Sequence, residues 1–226
     1  MLRGVIFDLD GVVVDSHPAH KQAWRKLLLS LQKSATEEEL EFVVEGHKRS
    51  EILRHFLGDL AEEEAIRYGA LKESFFKESN VELKTIHGFD QFLQQVEDAG
   101  LSCGIASSAG RVRVASTLQR LNLEHRFHAV IAGDDVVMGK PDPAIFQLAA
   151  SRLRLSHEDV IVCEDAVNGV RAAKNAGMMC LALATPGRAR LLQEAGADQV
   201  ITDFSEVSID QLQARFFATG FQKRPR

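Results

Sequence analysis

Val5-Ile6-Phe7-Asp8-Leu9-Asp10-Gly11-Val12 decides how this chain is read. Val5 to Leu9 forms a short apolar run that predicts a strand, and two carboxylates, Asp8 and Asp10, stand where it ends. Carboxylates are poor strand formers and are rarely buried without a partner. Such a pair at the tip of a core strand holds a cation, performs acid/base chemistry, or both. Asp8 alone also fits a simple strand-end turn, so the surrounding sequence has to decide.

Outward from this stretch the pattern becomes helical. Ala23, Trp24, Leu27, Leu28 and Leu31 recur at helical spacing. Thr36-Glu37-Glu38-Glu39 carries the capping hydroxyl and the glutamate three residues on that mark a helix start. Ile52, Leu53, Phe56 and Leu57 give another helical face closed by Gly58, and Ala61 to Lys77 gives one more. From about residue 85 strands and helices alternate. Strand-like runs fall at Ser102–Ala106, Ala129–Ala132, Val160–Cys163, Met179–Leu183 and Gln199–Ile201. Helical patterns fall at Phe89–Ala99, Arg111–Leu121, Pro143–Leu153, Val167–Ala176 and Arg188–Ala195. Gly100, Gly177 and Gly196 suit the position just past a helix end. Continuously apolar strands alternating with helices predict a parallel sheet covered on both faces. The expected fold is α/β, with a core at residues 1–15 and 82–226 and an α-helical insertion at 16–81.

The bulk composition narrows the function classes. The chain has 226 residues, 45% hydrophobic and 26% charged, with a net charge of −5. A nucleic-acid surface favours a basic domain, so no nucleic-acid partner is expected. The basic tail Lys223-Arg224-Pro225-Arg226 reads as a solvated terminus. Cys103, Cys163 and Cys180 are unpaired in spacing and sit in apolar runs, which predicts buried free thiols. The N-terminal stretch has neither a signal-peptide core nor a membrane-spanning run, so a cytoplasmic protein without membrane contact is expected, read as a monomer.

Active sites in open parallel sheets lie beyond the carboxyl ends of the strands. Asp8 and Asp10, Ser107 and Ser108, Gly133-Asp134-Asp135, Gly139-Lys140-Pro141 and Glu164-Asp165 all fall at or after strand ends and could meet there. A Mg²⁺ ion gives such a cluster a reason, because magnesium takes oxygen ligands, one or two carboxylates and substrate phosphate oxygens. Asp8, Asp165 and the Asp10 carbonyl are the natural ligands. A carboxylate also serves as a nucleophile toward phosphorus. Asp8 would attack, and Asp10 would protonate the leaving oxygen and later activate water, help of about 10²–10⁴-fold. Ser107 offers a hydroxyl to a phosphate oxygen and also fits a helix cap before Arg111. Lys140 is a point charge suited to phosphate and to keeping Asp8 ionised, though it also fits a solvated turn.

These residues resemble a known family. Phe7 to Ser16, Ala106-Ser107-Ser108, Gly139-Lys140-Pro141-Asp142-Pro143 and Glu164-Asp165-Ala166-Val167-Asn168-Gly169 are similar to the four ordered motifs of the haloacid dehalogenase superfamily. The helical insertion resembles the cap of its subclass I. The resemblance implies a Rossmann-like core, Asp8 as nucleophile, Asp10 as acid/base, Ser107 and Lys140 on the phosphate, and Glu164 and Asp165 around Mg²⁺. An aspartate at position 10 fits the phosphoryl-transferring members. Within the insertion, His20 and Trp24, Gly46 and Arg49, and Lys72 match the β-phosphoglucomutase-like group. By that resemblance His20 steers Asp10, and Arg49 and Lys72 meet the substrate. Read without it, Arg49 and Lys72 fit a solvated helix face equally well, and a helix-surface position is the alternative for His20.

One departure bears on the reaction. A mutase must grip two phosphates, and the loop here is Ser108-Ala109-Gly110-Arg111, with two polar positions lost and Arg111 in partial compensation. The reading is therefore a Mg²⁺-dependent phosphatase of a small phosphorylated metabolite, with β-phosphoglucomutase as its nearest rival. A receiver-like module phosphorylated on aspartate as a signal is the non-enzyme alternative. Such a module needs neither a substrate-covering insertion nor a residue like Asp10.

Overall fold

The computed structural model describes residues 1–79, 81–185 and 187–217; the basic tail lies outside them. Strand β1 (Gly4–Phe7) leads into four helices, α1 (His17–Ser30), α2 (Glu37–Glu41), α3 (Arg49–Leu57) and α4 (Glu62–Lys77). Helix α5 (Phe89–Asp98) brings the chain back to β2 (Ser102–Ala106) and α6 (Arg111–Arg120). Then follow β3 (Ala129–Ile131), α7 (Ala144–Leu153), β4 (Val160–Glu164), α8 (Val167–Asn175), β5 (Met179–Leu183), α9 (Ala189–Glu194), β6 (Gln199–Ile201) and α10 (Ile209–Phe216).

The six strands form one parallel sheet in the order β3-β2-β1-β4-β5-β6. This is a doubly wound Rossmann-type arrangement, and the order reverses between β1 and β4, where ligands bind in such sheets. Alternation along the strands feeds two separate cores. Val5, Phe7, Ile161, Cys163, Leu181 and Leu183 meet α5, α6 and α10 on one face. Ile6, Val160, Val162, Cys180 and Ala182 meet α7, α8 and α9 on the other. Phe7 anchors the first face, edge-on to Phe89 at 5.4 Å and to Phe92 at 6.2 Å. Such ring pairs add about 0.5–1.5 kcal/mol each beyond the area they bury.

The insertion has its own small core of Trp24, Leu27, Leu40, Val43, Val44, Ile52 and Leu53. Helix α2 starts on the expected capping box, with Glu39 N donating to Thr36 Oγ1 at 3.2 Å and Thr36 N to Glu39 Oε2 at 2.7 Å. Ser16 sits at the cap position of α1 but gives it no side-chain bond; its hydroxyl turns toward Asp10 instead. The two crossings between insertion and core lie side by side: Val14 bridges Thr85 antiparallel, and Asp15 N donates to Lys84 O at 2.9 Å.

Three details differ from the sequence reading. β1 ends at Phe7 rather than Leu9, although Asp8 N still donates to Cys163 O at 2.9 Å. β3 stops at Ile131 because Ala132 opens a 3₁₀ turn over Gly133–Asp135. Helix α10 was not anticipated, although Ser208 and Gln211 form its capping box and Ile209 and Leu212 are buried. The three cysteines are free and buried, as expected. No described helix is long and apolar enough to cross a membrane.

Candidate active site

The carboxyl ends of β1 and β4 set the site. Phe7 pairs in register with Cys163, so Asp8 and Glu164 stand at the same level, Glu164 as the last residue of β4. Lys140, in the loop between β3 and α7, reaches between them. It is 2% exposed, pairs with Asp8, and donates to Glu164 Oε1 at 2.5 Å and to Ala106 O at 3.3 Å. Its alkyl stem brings the ammonium to 4.8 Å from the Phe146 ring centre. Burial disfavours the Lys140 charge, but Asp8 and Glu164 outweigh it and hold the ammonium above its ordinary range. Lys140 is thus a buried counter-ion and not a turn lysine in solvent.

Glu164 is fixed from the other side. Its Oε2 accepts from Asp165 N at 2.8 Å and Ala166 N at 2.9 Å. The first turn of α8 fits against it only because residue 169 is glycine: a Cβ there would lie 1.8 Å from Glu164 Oε1. Asp165 pairs with His17 Nε2 at 3.1 Å. Ser107 is buried, and its hydroxyl accepts from Ala109 N at 3.2 Å, while the cap of α6 is Gly110. Ser107 and Ser108 both line the cleft, and the Ser108 hydroxyl donates to Gly46 O at 2.9 Å.

Asp10 is the most heavily bonded carboxylate of the cleft. Ser16 Oγ donates to its Oδ1 at 2.5 Å, His20 Nε2 at 3.3 Å and Arg113 Nη1 at 2.9 Å, and Arg113 Nη2 closes the pair on Oδ2. Burial alone would raise the Asp10 carboxyl; Arg113 and His20 overcome it and hold the group well below the usual carboxylate range. Lys72 Nζ donates to His20 Nδ1 at 3.0 Å, which puts the ring proton on Nε2, facing Asp10. Burial, with Lys72 alongside, drives His20 down to about 3 and so keeps it neutral. The Phe76 ring stacks on His20 at 4.4 Å and lies 4.8 Å below Lys72.

The cleft gathers most of the residues expected from the sequence. Asp8, Asp10, His20, Trp24, Gly46, Arg49, Lys72, Ser107, Ser108, Glu164 and Asp165 all line it, and they enclose about 100 Å³. His20 and Lys72 are buried there rather than on a solvated helix face, Lys72 at 4% exposure. Trp24 belongs mainly to the core of the insertion and presents only part of its ring to the cleft. Two expectations need correction. Arg111 is not in the lining: its side chain is 60% exposed and pairs with Asp135. Asp134 and Asp135 do not join the site either. Asp134 Oδ2 accepts from Arg111 N at 2.7 Å and Asp135 Oδ2 from Ala132 N at 2.9 Å, so both serve the start of α6 and its preceding turn.

Arg113, Glu73, His17 and His47 line the cleft and were missed. The signal for Arg113 was present: it stands four residues before buried Thr117 and beside buried Val114, so a charge lies on the inward face of α6. Lys72 shows the same pattern between Gly69 and Phe76.

The donor set fits a magnesium ion of the open type. Among the described residues no three His, Cys, Asp or Glu side chains converge into a ready cage. Magnesium needs none, since one or two carboxylates and substrate oxygens suffice. Burial raises Asp8 to about 7 even beside Lys140, and burial also raises Asp165 against the pull of His17. Two buried carboxylates short of positive charge are what a divalent cation would satisfy.

Comparison with known proteins agrees with this geometry. Residues 5–183 match the family of haloacid dehalogenase-like hydrolases. The chain is 33% identical over 189 residues to a phosphorylated carbohydrates phosphatase of Thermotoga maritima, covering 78% of this chain and 82% of that protein. It is 28% identical to a β-phosphoglucomutase of Bacillus subtilis, covering 93% and 94%. The fold superposes on a β-phosphoglucomutase structure from Clostridium difficile with a TM-score of 0.85 at 24% identity, over 96% of this chain and 97% of that one. A central strand that runs into Asp8, a buried lysine between two strand-end acids and this likeness lead to one conclusion: the chain belongs to the haloacid dehalogenase-like hydrolases, in their β-phosphoglucomutase-like group.

Proposed function

We propose that the protein is a phosphatase that cleaves a small phosphorylated metabolite, a sugar phosphate, through a phosphorylated Asp8. The observation that carries this reading is the pairing of Asp8, at the tip of β1, with Lys140, while Asp10 stands two residues on with its own bonded partners. In the first half, an Asp8 carboxylate oxygen forms a bond to phosphorus and the ester P–O bond breaks. Asp10 gives its proton to the departing alkoxide. In the second half, Asp10 takes a proton from water, which attacks the phosphorylated Asp8 and releases phosphate. Ser107 and Lys140 meet the non-bridging oxygens, and electrostatic aid of this kind dominates phosphoryl transfer. Asp8, Asp165 and the Asp10 carbonyl would hold Mg²⁺, with Glu164 behind them, and the ion would supply positive charge at the phosphoryl oxygens when bound.

The helical insertion is assigned as a cap. Side chains of the insertion and of the core line the cleft together. A sugar phosphate enters as insertion and core part, and the cap shuts water out as they close again. Arg111, tied to Asp135, is not available to grip a second phosphate, which favours phosphatase over mutase. β-Phosphoglucomutase remains the second reading, favoured by Arg49, which lines the cleft with no ion-pair partner among the described residues.

A screen of sugar phosphates with Mg²⁺, including β-glucose 1-phosphate with catalytic glucose 1,6-bisphosphate, tests the proposal. Release of inorganic phosphate by the wild type and none by Asp8→Asn is expected, because an amide is a poor nucleophile. Normal turnover by Asp8→Asn would end the covalent mechanism, and isomerisation without net hydrolysis would make the protein a mutase.

A further inference from the structure

The cap wall of the cleft carries three cations, Arg49 from α3, Lys72 from α4 and Arg113 reaching across from α6. Two of them have partners inside the protein: Arg113 holds Asp10, and Lys72 holds His20. Glu73 is the acid among them. It lines the cleft, its side chain is 20% exposed, and its Oε2 lies 3.9 Å from Lys72 Nζ. Its Oε1 is buried and has no protein hydrogen-bond partner. A buried carboxylate oxygen without a donor costs free energy, so its presence at a ligand cleft calls for a donor that arrives with the ligand. Arg49 does not supply it. Arg49 packs along α4 over Gly69, one turn before Glu73, where a Cβ would lie 2.9 Å from its Nε, and it makes no ion pair with Glu73.

We propose that Glu73 is the specificity-determining residue of this cleft: its free oxygen accepts a hydrogen bond from a hydroxyl of a polyol monophosphate, and its charge turns away substrates with a second phosphate. The proposal rests on the phosphatase reading above and narrows it. A hydroxyl is a neutral donor and completes the carboxylate's hydrogen bonding. A phosphate dianion at the same place has only acceptors to offer and adds like charge in a closed, poorly solvated space. A site built to bond a hydroxyl also rejects the analogue that lacks it, because its own polar atom is then left bare.

The test compares kcat/KM of wild type, Glu73→Ala and Glu73→Gln on four kinds of probe. These are hexose and hexitol monophosphates, their monodeoxy analogues, glucose 1,6-bisphosphate, and acetyl phosphate. Glu73→Ala is expected to lose about 10- to 100-fold on the preferred polyol monophosphate, as for a hydrogen bond to a charged group, with a loss on acetyl phosphate at least tenfold smaller. One monodeoxy analogue should be poor for the wild type and indistinguishable from its parent for Glu73→Ala. Glu73→Gln keeps an acceptor oxygen without the charge, so it should retain the polyol substrate better than Glu73→Ala and gain on the bisphosphate. Equal losses on every probe, or wild-type turnover of acetyl phosphate with no polyol substrate, would overturn the proposal. If the wild type turns over nothing, the phosphatase reading has failed. Thermal stabilisation of the wild type by the polyol monophosphates, set against Glu73→Ala, then decides Glu73 separately: a difference supports it, and none refutes it.

Discussion

Asp10 meets Arg113 through both carboxylate oxygens, a pair closed across 103 residues of sequence. The pair favours the ionised Asp10, the form that takes a proton from water. Protonating a leaving group needs the opposite form. Arg113 thus weights the two halves of the proposed reaction in favour of the second. Arg113→Met should raise the Asp10 carboxyl. Formation of the phosphorylated enzyme would then speed up at neutral pH, because more of Asp10 carries the proton that the leaving oxygen needs. Rapid acid quench with labelled substrate should show a larger steady-state fraction of phosphorylated Asp8 than in the wild type; an unchanged fraction would count against this weighting.

Lys140 separates two acids that cannot both stay charged in its absence. Lys140→Met should lower stability by roughly 3–5 kcal/mol, the usual cost of breaking a buried ion pair by removing one member. Urea denaturation measures it. Adding Asp8→Asn to that variant should restore part of the loss, because one uncompensated charge disappears.

Burial, helped by Arg113, lowers Lys72 from its ordinary 10.5 to about 7. Below pH 7 the ammonium is charged in both folded and unfolded chains, and the fold bears the full cost of burying it. Between pH 7 and 10.5 the unfolded chain binds a proton that the folded one lacks, so raising the pH favours folding. The stability of the wild type, relative to Lys72→Met, should therefore rise from pH 6.5 to 9.5 in parallel urea titrations. A flat difference would mean that Lys72 stays charged throughout.

Gly169→Ala would set a methyl group against the Glu164 carboxylate. Overpacking of this kind costs about 1–3 kcal/mol. The displaced carboxylate should also weaken the response to metal. Turnover by the wild type should vanish with a chelator and return with added Mg²⁺, and the variant should need about tenfold more Mg²⁺ for half-maximal activity, as for outer-shell partners of metal ligands generally. An unchanged Mg²⁺ requirement would detach Glu164 from the metal.

The sheet was readable because its interior strands are short, largely apolar runs, and three of them, β1, β2 and β4, lead into or end on a polar residue, a local signature. Asp8, Ser107 and Glu164 were readable for the same reason, and Lys140 through the Gly139-Lys140-Pro141 motif. That signature also misled: Asp134-Asp135 has the look of a second acidic pair at a strand end, yet both are satisfied nearby by Arg111 and Ala132. Arg113 and Glu73 went unnoticed because their importance comes from contacts between α4, α6 and the tip of β1. A helix pattern shows which face a residue takes but not what waits there. Helix α10 was overlooked although Ser208 and Gln211, three residues apart, form a capping box at its start.

The adjoining crossings at Val14–Thr85 and Asp15–Lys84 have a consequence for how such proteins diversify. The chain leaves the sheet and returns to it at one point, so the core sees everything between as a single long loop. Loop length costs little once the ends are held together. We propose that the coding segment for residues 16–81 is then a cassette, exchangeable against the corresponding segment of a relative, while Asp8 and Lys140 stay with the core. A chimera made at these two junctions should fold, keep the donor-independent rate on a minimal phosphoryl substrate, and inherit its taste for larger ones from the donor.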